Sequence, residues 1–274
     1  VSTVQSTVLN KLPVPTLDMA LQGRAPGVVV TQNTGAPGEG VAVRVRGVGS
    51  INSGNYPLYV IDGVPTLDIS SFSLQDAESI TILKDASAAA LYGSRAANGV
   101  VIITTKSGKG TKPTVQISTQ FGVQTPSRLI EMPNTADYVT LYNEAANTDN
   151  VGKSGIFLRP LITEAMTENF DDVDQVKAIM RDALLQSHSF SITGNEGRTS
   201  YALSASYFSQ EGIIKSSDYE RFTARINVES EVKPWLTTGI NLNLAKATTN
   251  LIPSSGDGAG GNGGSVVRYA FFRT

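Results

Sequence analysis

Glu220-Arg-Phe-Thr-Ala-Arg-Ile-Asn-Val-Glu229 alternates without a break. Successive side chains of an extended chain point to opposite sides. Phe222, Ala224, Ile226 and Val228 therefore share one face, and Arg221, Thr223, Arg225 and Asn227 the other. The texture recurs at Thr114–Val123, where Val115, Ile117, Phe121 and Val123 oppose Thr114, Gln116, Ser118 and Gln120. It recurs at His188–Thr193 with Phe190 and Ile192, at Tyr201–Ser209 with Tyr201, Leu203, Ala205 and Tyr207, and at Leu236–Leu244 with Leu236, Ile240, Leu242 and Leu244. Five strands of roughly ten residues, apolar on one face and polar on the other, have the length and pattern of transmembrane β-strands.

The connections sort by length. Asn195–Gly197 and Val232–Pro234 are short turns, Gln210–Asp218 is longer, and Leu251–Val267 is longer still, with a Gly-rich tract over 256–264. The longest, from Gln124 to Ser187, holds two helical patterns, one over 134–146 with Asn134 as N-cap, the other over 171–185 with Val173, Val176, Ile179 and Met180 on one side. Short and long connections alternate in outer-membrane barrels. The alternative is a soluble sandwich with one wet face, whose strands average about five or six residues and whose loops do not sort by side. Five strands leave two open edges, which lipid does not tolerate, so the chain is expected to be part of a longer barrel.

Before residue 112 the texture differs. Val41–Arg46 alternates, Tyr56–Pro65 reads as a buried strand running into an Asp62-Gly63 turn, and Ser79–Leu83 and Val100–Thr105 are further strands. Thr16–Leu21 is predicted as a short helix ended by Gly23, and Asp85–Tyr92 as an Ala-rich helix closed by Gly93. The expected fold class is an α+β domain over 1–111, followed over 112–274 by antiparallel transmembrane β-barrel strands with long loops at about 124–187 and 249–268.

Composition narrows the function. The 274 residues include no Cys and one His, carry a net charge of −2, and are 17% charged, against about 25% in ordinary soluble domains. A disulfide framework, a thiolate nucleophile and a multi-histidine metal site are excluded within this chain. Near-neutral charge argues against nucleic acid as partner. No stretch approaches the roughly 18 apolar residues of a membrane helix, and Val1–Asn10 has neither the charged start nor the apolar run of a signal peptide. No cofactor site, metal site or nucleophile–base pair is visible, so an enzyme is not expected. The Gly-rich tract lacks the Gly-Lys-Ser/Thr ending of a phosphate loop, and its one Asp is too few for calcium.

The segment Glu78-Ser-Ile-Thr-Ile-Leu-Lys-Asp-Ala-Ser-Ala-Ala-Ala-Leu-Tyr-Gly-Ser-Arg-Ala-Ala-Asn-Gly-Val-Val-Ile-Ile-Thr-Thr-Lys106 resembles the plug domain of TonB-dependent outer-membrane transporters, in its SusC/RagA-like form. Ala20–Val28, Val43–Gly47 and Pro57–Pro65 are similar to the same branch, in the same order, and Gln186–Gly194 looks like its second barrel strand. The resemblance implies a barrel of about 22 strands around the plug, pulled on by TonB through a segment preceding this stretch. It implies a SusD-like surface lipoprotein as lid in a larger complex, an outer-membrane location among lipid and lipopolysaccharide, and import of an oligosaccharide or peptide in Bacteroidetes-type bacteria. A receptor or assembly component that uses the same plugged barrel without import is the alternative.

On that basis Arg44, Arg46, Lys84, Asp85, Arg95, Arg221 and Arg225 are candidate plug–barrel contacts with a gating role. Arg44 and Arg46 are expected to meet carboxylates on the wall; the alternative is a solvated strand face. Lys84 and Asp85 begin the Ala-rich helix, with Asp85 also a plausible N-cap. Gly47, Asp62, Gly63, Gly93 and Gly99 are assigned to plug turns, Gly93 with positive φ and Asp62-Gly63 as a turn rather than a ligand site. His188 is read as an interfacial or loop-packing side chain, and Tyr201 and Tyr207 have the parity of an aromatic girdle.

Overall fold

The computed structural model describes residues 2–5, 14, 16–32, 35–45, 47, 55–66, 69–84, 90–110, 112–129, 131, 133–167 and 173–252. The first domain is built on a mixed sheet of five strands, β1 (Ser2–Gln5), β4 (Leu58–Ile61), β5 (Val64–Thr66), β6 (Ala77–Leu83) and β7 (Val100–Thr105), ordered β1-β6-β7-β4-β5. A separate hairpin pairs β2 (Val28–Thr31) with β3 (Ala42–Val45). β4 runs parallel to β7, and the other pairs are antiparallel. Leu58, Tyr59 and Val60 on β4 and Val100, Val101 and Ile103 on β7 are buried because these strands lie inside the sheet. One face packs Ile80, Ile82 and Ile103 with Leu17, Leu21 and Val43; the other packs Val60 and Val100 with Leu58 and Ala96.

Two local features fix this domain. Asp62 and Gly63 both have positive φ, 47° and 86°, as the two-residue turn joining β4 to β5 requires. Tyr59 on β4 donates to Asp18 at 2.8 Å, on helix α1 (Leu17–Ala20), which Thr16 caps through Met19 N. Burial pushes the Tyr59 hydroxyl far up and the Asp18 charge adds to it, so Tyr59 stays the protonated donor of the pair. Of the expected Ala-rich helix only Ala90–Tyr92 is described. Residues 85–89 lie outside the described residues, and Ala90–Ala96 forms 3-10 turns with Gly93 in their midst at φ 65°, ψ −152°. That backbone cannot continue a helix, so Gly93 separates two turns instead of closing one.

The second sheet is a five-strand antiparallel meander, β8 (Thr114–Gln124), β9 (Ala183–Glu196), β10 (Thr199–Glu211), β11 (Asp218–Lys233) and β12 (Leu236–Asn250). The strands are longer than the sequence pattern marks them. The helix expected over 171–185 shrinks to α4 (Gln175–Ile179, numbered after α2 at Thr135–Asp149 and α3 at Glu164–Thr167). Its C-terminal part is taken by β9, which pairs with β8 from Ala183 onward. Residues 125–182 with 213–215 form a compact unit of their own. There Asn143 and Asn150 of α2 each make two hydrogen bonds to backbone, of Ile162 and Arg159 respectively, and so hold an extended segment. The Gly-rich tract lies outside the described residues.

Burial in this sheet is inverted relative to a soluble fold. Arg225 and Arg221 are 5% and 4% exposed, whereas Phe222, Phe121 and Ile117 are 52%, 72% and 74% exposed. The outward apolar band also runs diagonally. Hydrogen-bonded register carries Val115 through Ile192, Leu203 and Ile226 to Leu242. The outward apolar residues span 115–123 on β8 and 236–244 on β12, interrupted only by Thr119 and Thr238. Between β8 and β12 the band thus slips by six residues, about 20 Å along the strands against about 19 Å across them. A band that is level in a bilayer then requires strands tilted by roughly 45°, the tilt of membrane barrels. Phe121 and Thr248 occupy one row of the ladder. In the full-length protein in vesicles, a nitroxide at 121 is expected to be relaxed by oxygen and one at 248 by a water-soluble nickel chelate; equal depth would contradict the tilt.

Candidate functional site

The polar face of the sheet receives the first domain. At its centre, Arg225 Nη2 on β11 lies 2.6 Å from Asp62 Oδ2. The same carboxylate accepts from Thr105 N at 2.9 Å, Thr105 Oγ1 at 2.6 Å and Asn241 Nδ2 at 3.3 Å, and Arg225 also donates to Asn241 Oδ1 at 3.1 Å. One carboxylate thus joins the β4–β5 turn, the end of β7 and two wall strands. A buried guanidinium requires such a partner, because an isolated charge in that position is costly. The left-handed backbone at Asp62, which Asp tolerates better than most residues, aims the side chain back across the sheet.

Other contacts follow β11. The Arg221 Nη1 group donates to the backbone oxygen of Ser70 at 3.0 Å, and its guanidinium lies 5.8 Å from the Phe208 ring. The Lys109–Glu229 pair is 2.6 Å apart but largely exposed, so it adds little. Gly38, at φ 69°, lies against the Tyr219 ring with no room for a Cβ. On β9 and β10 the contacts are hydroxyls: Ser187 accepts from Gln75, Ser204 donates to Asp76 at 2.5 Å, and Ser206 donates to Ser73.

The sequence-selected residues divide between these surfaces. Arg221 and Arg225 lie on the buried inner face, and Asp62, selected only as a turn residue, is also the carboxylate that meets Arg225. Lys84 makes its hydrogen bonds inside the first domain, where its ammonium reaches Ser2 Oγ and the Pro26 carbonyl oxygen, and not to these five wall strands. Arg44 and Arg95 are exposed and have no ion pair or hydrogen bond among the described residues. The central ion pair thus has the opposite polarity to the one expected for Arg44: the carboxylate is on the small domain and the arginine on the wall. Arg46 and Asp85 lie outside the described residues. Gly47 has φ 89°, and Gly99 φ 93° with Val45 so close that a Cβ would stand 2.9 Å from it. Sequence reasoning missed Asp76, Thr105, Asn241 and Ser204; the signal available was inner-face parity for the two wall residues. His188 stacks on Tyr207 and meets Phe121 edge-on on the outer face. Among the described residues no three His, Asp or Glu side chains converge to hold a metal.

A small mixed-sheet domain seated on the polar face of tilted strands, whose other face is an apolar band, defines a plugged outer-membrane β-barrel. Residues 1–100 match the family described as the TonB-dependent receptor plug domain. The chain is 38% identical to the TonB-dependent receptor P26 of Formosa agariphila over 251 residues, 89% of this chain and 24% of that protein. It is 36% identical to SusC of Bacteroides thetaiotaomicron over 218 residues, 76% of this chain and 20% of that one. Among solved structures, the RagAB peptide transporter superposes with TM-score 0.77 at 27% identity, over 91% of this chain and 31% of that chain. The siderophore receptor PirA from Acinetobacter baumannii, at 19% identity and TM-score 0.56, covering 90% and 31%, shares the fold. The chain belongs to the SusC/RagA-like TonB-dependent receptors of the outer membrane. It spans about a quarter or less of the length of these curated relatives.

Asp76 is 7% exposed. Burial pushes its carboxyl above the ordinary carboxylate range; the Ser204 hydrogen bond and the nearby Arg225, Lys106 and Arg221 charges pull it only part of the way back. The unfolded group ionises near pH 4 and the folded one higher, so the folded state binds more protons between the two values. Stability falls as pH rises through that window and is level above it. Asp76→Asn keeps an acceptor for Ser204 and removes the ionisation. The urea midpoint of plug unfolding in the full-length variant is expected to vary less between about pH 4 and 7 than in the unsubstituted protein, with the variant gaining relative stability as pH rises.

Proposed function

We propose that the whole protein imports a nutrient, an oligosaccharide or a peptide, across the outer membrane. In this reading residues 1–111 are the plug and 112–274 the first part of a barrel of about 22 strands. TonB pulls on the plug from the periplasm, a SusD-like surface lipoprotein closes over the barrel, and the two form a larger complex amid lipid and lipopolysaccharide. The observation that carries this is the character of the plug–wall contact. A plug meant as a permanent partition would bury apolar surface against its wall. Here it meets polar side chains, serine hydroxyls and one buried ion pair, a surface water can replace. The names of the relatives support the reading: SusC is called a TonB-dependent receptor and RagAB a peptide transporter.

The gating role falls to Arg225 and Arg221 on the wall and to Asp62 on the plug. Gly47, Gly63, Gly93 and Gly99 hold the plug's turns; Arg44 and Arg95 are left to meet parts of the wall beyond these five strands. No chemistry by the chain is needed, since the partner supplies the energy.

Deletion of the gene is expected to abolish growth on one class of polymer, glycan or peptide, as sole source, with uptake stopped by a protonophore. A surface lipoprotein should co-purify with the protein. Unchanged growth on every glycan and peptide source would contradict the import reading in favour of a receptor or assembly role.

A further inference from the structure

The inner face of the wall is chemically divided. On β8, β9 and β10 the inward positions, such as Gln116, Ser118, Ser189, Ser191, Ser204 and Ser206, include no charged residue. On β11 they are Tyr219, Arg221, Thr223, Arg225, Asn227, Glu229 and Glu231; of these, Tyr219, Arg221, Arg225 and Glu229 each contact the plug. Space is left on both sides of the plug: against β11 and β12 a cavity of about 360 Å³ lies beside Asp62, Thr105, Asn227 and Asn241, so the division is one of charge and bonding and not of fit. Against β8–β10 there is a cavity of about 70 Å³ between the plug and the wall, bounded on the plug side by Gln75, Asp76 and Lys106. One water needs about 10–15 Å³, so there is room for several. The Gln75 Oε1 atom is buried there with no hydrogen-bond partner among the described residues, as expected of an acceptor that faces a hydrated space.

From this division we infer that the plug parts from this sector of the barrel along β8–β10, opening a hydroxyl-lined path for neutral, hydrogen-bonding solutes, while β11 keeps hold of it. Serine hydroxyls released from Gln75, Asp76 and Ser73 are satisfied at once by water or by a solute's hydroxyl and amide groups. Separating Arg225 from Asp62 instead uncovers two charges and undoes the ties to Thr105 and Asn241. The path also suits its cargo. A wall without fixed charge binds each hydrogen-bonding group weakly and exchanges it readily, which passage requires.

The inference rests on the import reading, and the test separates the two. Single cysteines replace Ser189, Ser191, Thr223 or Asn227 in a cysteine-free full-length protein, and cells are labelled from outside with a membrane-impermeant maleimide, with and without a protonophore. Labelling at 189 and 191 is expected to run about tenfold faster in energised cells, because rate follows the open population, with little change at 223 and 227. An equal rise at all four positions, or a rise confined to 223 and 227, overturns the inference and leaves energised import standing. No response at any position overturns the energised movement itself, and the inference with it.

Discussion

Arg225 has 5% of its surface exposed and a charge that must be met where it lies. The wall leaves no other choice of side. Phe222, Ala224, Ile226 and Val228 claim the face toward lipid, and a strand has only two faces. The arginine is therefore turned inward, and whatever fills the interior has to bring a carboxylate to that height. Asp62 does so from the tip of a two-residue turn, with Thr105 and Asn241 completing its hydrogen bonds. The need to keep charge out of lipid on one side thus selects the surface of the domain on the other.

The same constraint explains the composition. Membrane-facing positions exclude charge at about 2–4 kcal/mol for Arg or Lys at midplane. The interior positions must be polar, yet most of them have no opposite charge nearby. Ser, Thr, Asn and Gln meet both conditions. The 17% charged content reflects a chain in which long strands are barred from charge on one face and sparing with it on the other.

Much of this was legible in the sequence. All five wall strands show a period of two, and the Asp62-Gly63 turn announces itself by its residues. The reading failed where local pattern and long-range pairing compete. Val173, Val176, Ile179 and Met180 have helical spacing, but pairing with β8 claims the chain from Ala183 onward and leaves α4 five residues long. Asp62 was explained too well by its turn, because nothing local says that a residue 163 positions away brings an arginine to it. Arg44 shows the converse. Its alternation with Arg46 is a strand pattern and nothing more, and exposure on this side of the plug carries no information about which wall residue it meets. Contacts between domains depend on register and tilt, and single-strand periodicity does not encode either.

The bond between the plug's turn and the wall's arginine holds the two parts together. A double-mutant cycle on the full-length protein, with Asp62→Asn, Arg225→Gln and both together, isolates it, since Asn preserves the left-handed turn. Urea unfolding of the plug should give a coupling energy of about 1–3 kcal/mol. Single effects that simply add, to within about 0.5 kcal/mol, would contradict the claim that this pair holds the plug in the wall.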